Sequence, residues 1–146
     1  MEKKKEAVFK VLFISPPLSV LKQAGSLKEI ANVLPTMGIG YMAALLEKNG
    51  IEAKIIDCIG EPMTMDGVME RVSSENPDII GITATILTVS TAHELAREIK
   101  KRFAKKLLVM GGPQLCSTPE KTMTDGPYDL GVIAEGEETM LELAKA

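Results

Sequence analysis

Asp78-Ile79-Ile80-Gly81-Ile82-Thr83 is a nearly unbroken apolar run that ends on a hydroxyl residue, and the rest of the chain is read outward from it. Continuous runs of this kind suit a strand covered on both faces, as in a parallel sheet, rather than a strand with one wet side. Val89, Ala92, Leu95, Ala96, Ile99 and Phe103 follow at helical spacing, with the lysines that begin at Lys100 at the far end, where cations complement the helix dipole. A second apolar run, Leu107-Leu108-Val109-Met110, is closed by Gly111-Gly112-Pro113. Residues 78–113 therefore read as a strand, a helix and a second strand parallel to the first.

The same alternation extends in both directions. Strands are predicted at Val8–Ile14, Ala53–Asp57 and Asp129–Ile133. Ile39, Met42, Ala43 and Leu46 space a helix that should end at Asn49-Gly50, and Met65, Val68, Met69 and Val72 space another. A fourth helix is predicted to start near Ser117-Thr118-Pro119, with Ser117 and Glu120 as a capping box, and a last one at Glu137-Glu138. Five such alternations predict an α/β fold of three layers: a doubly wound, flavodoxin-like (Rossmann-like) parallel sheet of five strands in the order 2-1-3-4-5. Residues 1–146 are expected to form one domain. Between the first strand and first helix, Ser15 to Leu34 is far longer than the ~2–6 residues usual there. Leu27, Ile30, Ala31 and Leu34 suggest a short helix inside it. Long loops on this side of such a sheet tend to be functional.

Composition narrows the function. With 45% apolar residues and a net charge of −3, the chain can bury a full core and gives no electrostatic reason to expect nucleic acid or an acidic membrane surface. The basic cluster Lys3-Lys4-Lys5 reads as a solvated tail. Two cysteines, Cys58 and Cys116, make neither a disulfide framework nor a metal site by spacing. No apolar run approaches the ~18 residues of a membrane span, and no signal peptide is visible, so a cytoplasmic protein is expected.

Small and hydroxyl residues gather where the strands should end: Ser15-Pro16-Pro17, Thr83-Ala84-Thr85, Gly111-Gly112-Pro113 and Glu135-Gly136-Glu137. Any one could be a simple turn, but four along one sheet edge favour a ligand. A phosphate loop is absent, Gly38-Ile39-Gly40 lacks the third glycine of a dinucleotide fingerprint, and Ser-Pro-Pro and Thr-Ala-Thr stand where a phospho-acceptor domain needs acids. His93 is the single histidine and falls off the apolar stripe, which predicts a surface position. Asp57 and Cys58 are read as structural, and most of the nine methionines as adaptable core filler. No nucleophile–base pair is visible, so no catalytic or metal-ligating residue is assigned.

Pro35-Thr36-Met37-Gly38-Ile39-Gly40-Tyr41-Met42-Ala43-Ala44-Leu45-Leu46, then Gly50 and the strand ending at Asp57, resembles the opening of the cobalamin-binding domain found N-terminal in many radical S-adenosylmethionine enzymes. Ser15-Pro16-Pro17, Gly81-Ile82-Thr83, Gly111-Gly112-Pro113 and Glu135-Gly136-Glu137 match that family in order. Cobalamin domains of methionine synthases and mutases carry D-x-H-x-x-G, S-x-L and G-G. Here the first falls on Pro35 to Gly40, with Met37 at the histidine, the second on Thr83-Ala84-Thr85, and the third on Gly111-Gly112.

The resemblance implies a cobalamin site in which Met37 and Gly38 lie under the corrin. Thr83, Thr85, Gly111 and Gly112 would leave room for the dimethylbenzimidazole tail, and no histidine would bind cobalt from below. It further implies that the chain is part of a longer protein. A catalytic domain in cis, absent from this sequence, would carry the 4Fe-4S cluster and S-adenosylmethionine and perform methyl transfer or related radical chemistry. This chain would bind the cofactor without performing the reaction itself. The alternatives are a flavodoxin-like module binding another nucleotide-tailed ligand such as FMN, or a non-catalytic interaction domain.

Overall fold

The computed structural model describes residues 8–18 and 37–146. Lys3-Lys4-Lys5, the possible helix at Leu27–Leu34 and Pro35 lie outside the described residues. Strands β1 (Lys10–Ser15), β2 (Glu52–Asp57), β3 (Ile79–Thr83), β4 (Leu107–Gly111) and β5 (Leu130–Gly131) form one sheet in the order β2-β1-β3-β4-β5, with every pair parallel. The helices are α1 (Met37–Lys48), α2 (Met65–Glu75), α3 (Val89–Arg102), α4 (Pro113–Ser117), α5 (Pro119–Asp125) and α6 (Glu137–Lys145). This is the doubly wound, flavodoxin-like α/β architecture expected of the alternation.

Apolar runs without a wet face still alternate, because successive side chains leave a strand on opposite sides. Leu12, Ile14, Ile80, Ile82, Leu108 and Met110 join the core with α2 and α3, whereas Val11, Phe13, Ile79 and Val109 join the core with α1 and α6. Register places Phe13 beside Gly81 and Gly81 beside Val109, one row of side chains across three strands. Gly81 has no side chain to hold that row open. An added Cβ would lie 2.9 Å from Phe13 Cδ1, so the ring leans across the glycine.

Local signals close the elements. Gly50 adopts φ +78° after α1, where the Ile51 N–H donates to the Leu46 carbonyl at 3.0 Å. Thr64 caps α2 by accepting the Gly67 N–H at 3.0 Å. At the lower edge of the sheet, Lys10 bridges Glu52 and Glu75 at 3.2 and 3.1 Å, and Asp78 accepts the Lys10 N–H at 2.8 Å.

Four expectations need correction. The fourth helix is two short helices, and Ser117 Oγ donates to the Pro113 carbonyl at 3.0 Å instead of forming a capping box with Glu120. Helix begins already at Pro113, ahead of the expected start near Ser117, and the Gln114 N–H finds the Ala84 carbonyl at 3.0 Å. The last strand has two residues, not five: after Val132 N–H donates to the Met110 carbonyl, Ala134 turns to φ +67° and leaves the ladder. His93 is buried, not superficial, with Nδ1 2.9 Å from the Tyr128 hydroxyl. Gly126 permits this, since a Cβ there would strike the Tyr128 ring and lie 2.7 Å from His93 Nδ1.

Asp129 ties β4 to α3 by accepting the Leu108 N–H at 2.7 Å and pairing with Lys100. Burial opposes its charge, but Lys100 and the Leu108 N–H outweigh it and hold the carboxyl below 3.8. Its stabilising charge is therefore present above that value and lost as pH falls through the depressed folded-state value. Asp129→Asn keeps an acceptor and removes the charge. It should cost about 1 kcal/mol near neutrality, and the gap from the natural protein should close in acid, as read by urea unfolding along a pH series.

Candidate functional site at the carboxyl edge of the sheet

Parallel strands place all their carboxyl ends along one edge, so the four segments singled out by sequence meet there. Thr83, Gly111, Gly112 and Gly136 line a single slot between the sheet and the α1–α6 layer. Phe13, Ile39, Met42, Gly81, Val109 and Met140 are among the other residues that line it. The slot holds about 60 Å³, whereas a cavity of roughly 150 Å³ accommodates benzene. A flat bicyclic ring would therefore have to displace wall side chains. Met42 and Met140 are the unbranched, adaptable ones.

The glycines differ in what they contribute. A Cβ on Gly111 would meet nothing nearer than the Val132 carbonyl at 3.8 Å, so a larger side chain there would grow into the slot. A Cβ on Gly136 would touch Met42 Sδ and Val132 Cγ1, each at 3.2 Å. Gly112 has φ +97°, and a Cβ on it would fall 2.8 Å from both backbone polar atoms of Ala84, so it is required by the turn itself.

The other predicted residues do not line the slot. Ser15 and Pro16 are buried at the exit of β1, where the Ser15 carbonyl accepts the Cys58 N–H at 3.0 Å. Pro17 is half-buried, and its carbonyl accepts the Thr91 hydroxyl at 2.6 Å, tying the exit to α3. Ala84 is buried with both backbone groups used, donating to Gly111 and accepting from Gln114. Thr85 is exposed and turns the chain into α3, with its N–H on Thr88 Oγ1 at 2.9 Å. Pro113 and Glu135 are exposed on the rim.

Met37 and Gly38 open α1 and are exposed. Met37 lines not the slot but a second cleft of about 350 Å³, beside Tyr41, Ile55 and Asp57. The rim also carries apolar side chains that sequence reading did not single out: Ile86 and Leu87 after β3, 79% and 52% exposed, and Ile133 after β5, 57% exposed.

Charge is sparse here. Burial, then the neighbouring Asp57, push the Cys58 thiol up to about 11, leaving it a protonated core side chain. Cys116 Sγ accepts the Ala134 N–H at 3.3 Å and helps hold the strained turn over the slot. His93 stands on α3, in the opposite layer, and burial lowers its pKa despite the nearby Asp125, which favours neutral imidazole. Among the described residues no three His, Cys, Asp or Glu side chains are grouped to hold a metal ion, and no helix is long and apolar enough to cross a membrane.

Comparison with known proteins agrees with this geometry. The uncharacterized methyltransferase PH0819 of Pyrococcus horikoshii is 34% identical over 141 residues, which are 95% of this chain and 29% of that protein. The cobalamin-dependent S-adenosylmethionine radical enzyme OxsB, solved with aqua-cobalamin and S-adenosylmethionine, superposes with a TM-score of 0.77 at 17% identity, over 95% of this chain and 18% of its own. A cobalamin-binding protein from Desulfitobacterium hafniense gives 0.64 at 14% identity, over 93% and 59%. At such identities the two structures testify to fold. The B12 binding domain model matches residues 25–144, most of the sequence, and the chain belongs to that family.

Proposed function

We propose that this domain holds cobalamin against the carboxyl edge of its sheet, with the nucleotide tail in the Gly111–Gly136 slot and no histidine beneath the cobalt. The observation that carries this reading is the slot itself. It is an apolar crevice with glycines where side chains would block it, Thr83 at its lip and two methionines that can yield. The exposed Met37, Ile86, Leu87 and Ile133 would be covered by the apolar underside of the corrin.

The residues available support a histidine-free lower face. The sequence holds one histidine, and His93 is buried against Tyr128 in the layer that does not line the slot. Met37 stands where the related motif has its histidine, and a neutral thioether is a poor ligand for oxidised cobalt. The domain's own residues thus bind, orient and shield the cofactor. The bound cofactor would supply a cobalt centre able to carry a methyl or other group.

The reaction belongs to a catalytic domain in cis that brings the 4Fe-4S cluster and S-adenosylmethionine. The chain spans 29% of the Pyrococcus relative and 18% of OxsB, both named as methyltransferase or radical enzyme, which supports a larger whole.

Titration of the protein with hydroxocobalamin, followed by absorbance and calorimetry, should show saturable binding near one per chain. Gly111→Val, with β-branched carbons in the slot and no positive φ to strain, should weaken it at least about tenfold while leaving the circular dichroism unchanged. Binding of flavin mononucleotide in place of cobalamin would overturn the reading. In the reduced cobalt(II) form, electron paramagnetic resonance should show no nitrogen superhyperfine splitting; its presence would place a nitrogen ligand on the metal.

A further inference from the structure

One residue that lines the slot, Phe13, lies well inside a strand. On the α1–α6 side of the sheet the residues next to the lip are Thr83 and Gly111. One row lower, two residues or roughly 6.6 Å down the strands, come Phe13, Gly81 and Val109 in register. Gly81 should leave a hollow in this row that continues the slot downward. The Phe13 ring fills it, since an added Cβ at Gly81 would lie 2.9 and 3.1 Å from ring carbons Cδ1 and Cε1. Phe13 is 3% exposed and lines the slot from below, whereas Ile79 and Val11 close the row beneath it.

Slot walls and floor differ in compliance. Met42 and Met140, facing the sheet from α1 and α6, can change rotamer and widen the crevice. Phe13 is a rigid, buried ring on a strand that pairs on both sides, with β2 and with β3. A ligand can part the methionines more easily than it can displace the ring. Width is therefore adjustable and depth is not.

We infer that Phe13 is the specificity-determining residue of the tail slot, setting how long a lower base a corrinoid can bring into this domain. The inference rests on the cofactor reading above and adds a ligand class to it: corrinoids whose lower base is no longer than a substituted benzimidazole. A base extended by a further fused ring would meet Phe13 before its corrin reached the strand ends. A corrinoid with no lower base would be indifferent to residue 13.

The test compares three probes: cobalamin, naphthimidazolyl cobamide and cobinamide, which lacks the nucleotide. Each is titrated by absorbance and calorimetry into the natural protein, Phe13→Leu and Phe13→Ala, with thermal melting as the folding control. Phe13→Leu keeps an apolar core side chain and decides the question if Phe13→Ala loses too much packing. The natural protein should prefer cobalamin over the naphthimidazolyl form by about tenfold or more, and the folded variants should bring that ratio below about threefold. Cobinamide affinity should stay the same throughout. An unchanged ratio in the folded variants, with cobalamin still bound, would overturn the role of Phe13 alone. Failure of all three probes to bind the natural protein would overturn the cofactor reading and this inference with it.

Discussion

The lean of the Phe13 ring across Gly81 is the contact on which both the core and the site depend. Strand order β2-β1-β3-β4-β5 makes the β1–β3 seam the place where the chain's winding reverses, and crevices in doubly wound sheets open at such seams. A crevice that ran on down the seam would split the core on the α1–α6 side. Phe13 closes it at the second row, and only a glycine at position 81 lets a ring of that size lie flat there. The same packing that completes the hydrophobic core therefore gives the slot its floor, and a volume change in one is felt in the other.

Much of this was legible from the residues, because strand parity does not depend on tertiary detail. Asp78–Thr83 and Leu107–Met110 read as buried strands, and from their alternation with helices the parallel sheet and its carboxyl edge followed. Thr83, Gly111, Gly112 and Gly136 stood out as small residues at strand ends, and all four line the slot. Phe13 did not stand out. Two residues inside a strand, it reads as ordinary core, and its proximity to the slot needs the register with Gly81, 68 positions away in sequence. Met42 and Met140 were hidden for the same reason: helical periodicity says that they face inward, but not which cavity they meet.

The misread elements share a physical cause too. His93 is polar and lies off the strongest apolar stripe of α3, so local pattern sends it to the surface. Its burial is made by Gly126 and Tyr128, from a segment about 35 residues away, whose phenol satisfies the ring nitrogen. The α4–α5 pair is likewise set by distant partners, with the Gln114 N–H drawn to Ala84 and Pro113 starting a helix ahead of the expected start near Ser117. Short elements have little intrinsic stability, so tertiary hydrogen bonds decide their boundaries.

That pairing of the backbone also bears on how such a site can recognise anything. Around the slot the polar main-chain atoms are largely spoken for: Ala84 donates to Gly111, Gln114 donates to Ala84, and Val132 donates to Met110. What remains is mostly apolar surface, a threonine at the lip and space shaped by missing side chains. Recognition by such a site rests on enclosure, worth about 25 cal/mol for each Å² of apolar area covered, with no single strong ligand to the metal. Enclosure is sensitive to shape at every wall, so one methylene too many is excluded and one too few leaves a void. In the proposed cobalamin site, with no histidine beneath the cobalt, selectivity would fall to the far end of the cofactor, where the rigid ring of Phe13 would set depth and the adaptable thioethers of Met42 and Met140 would set width.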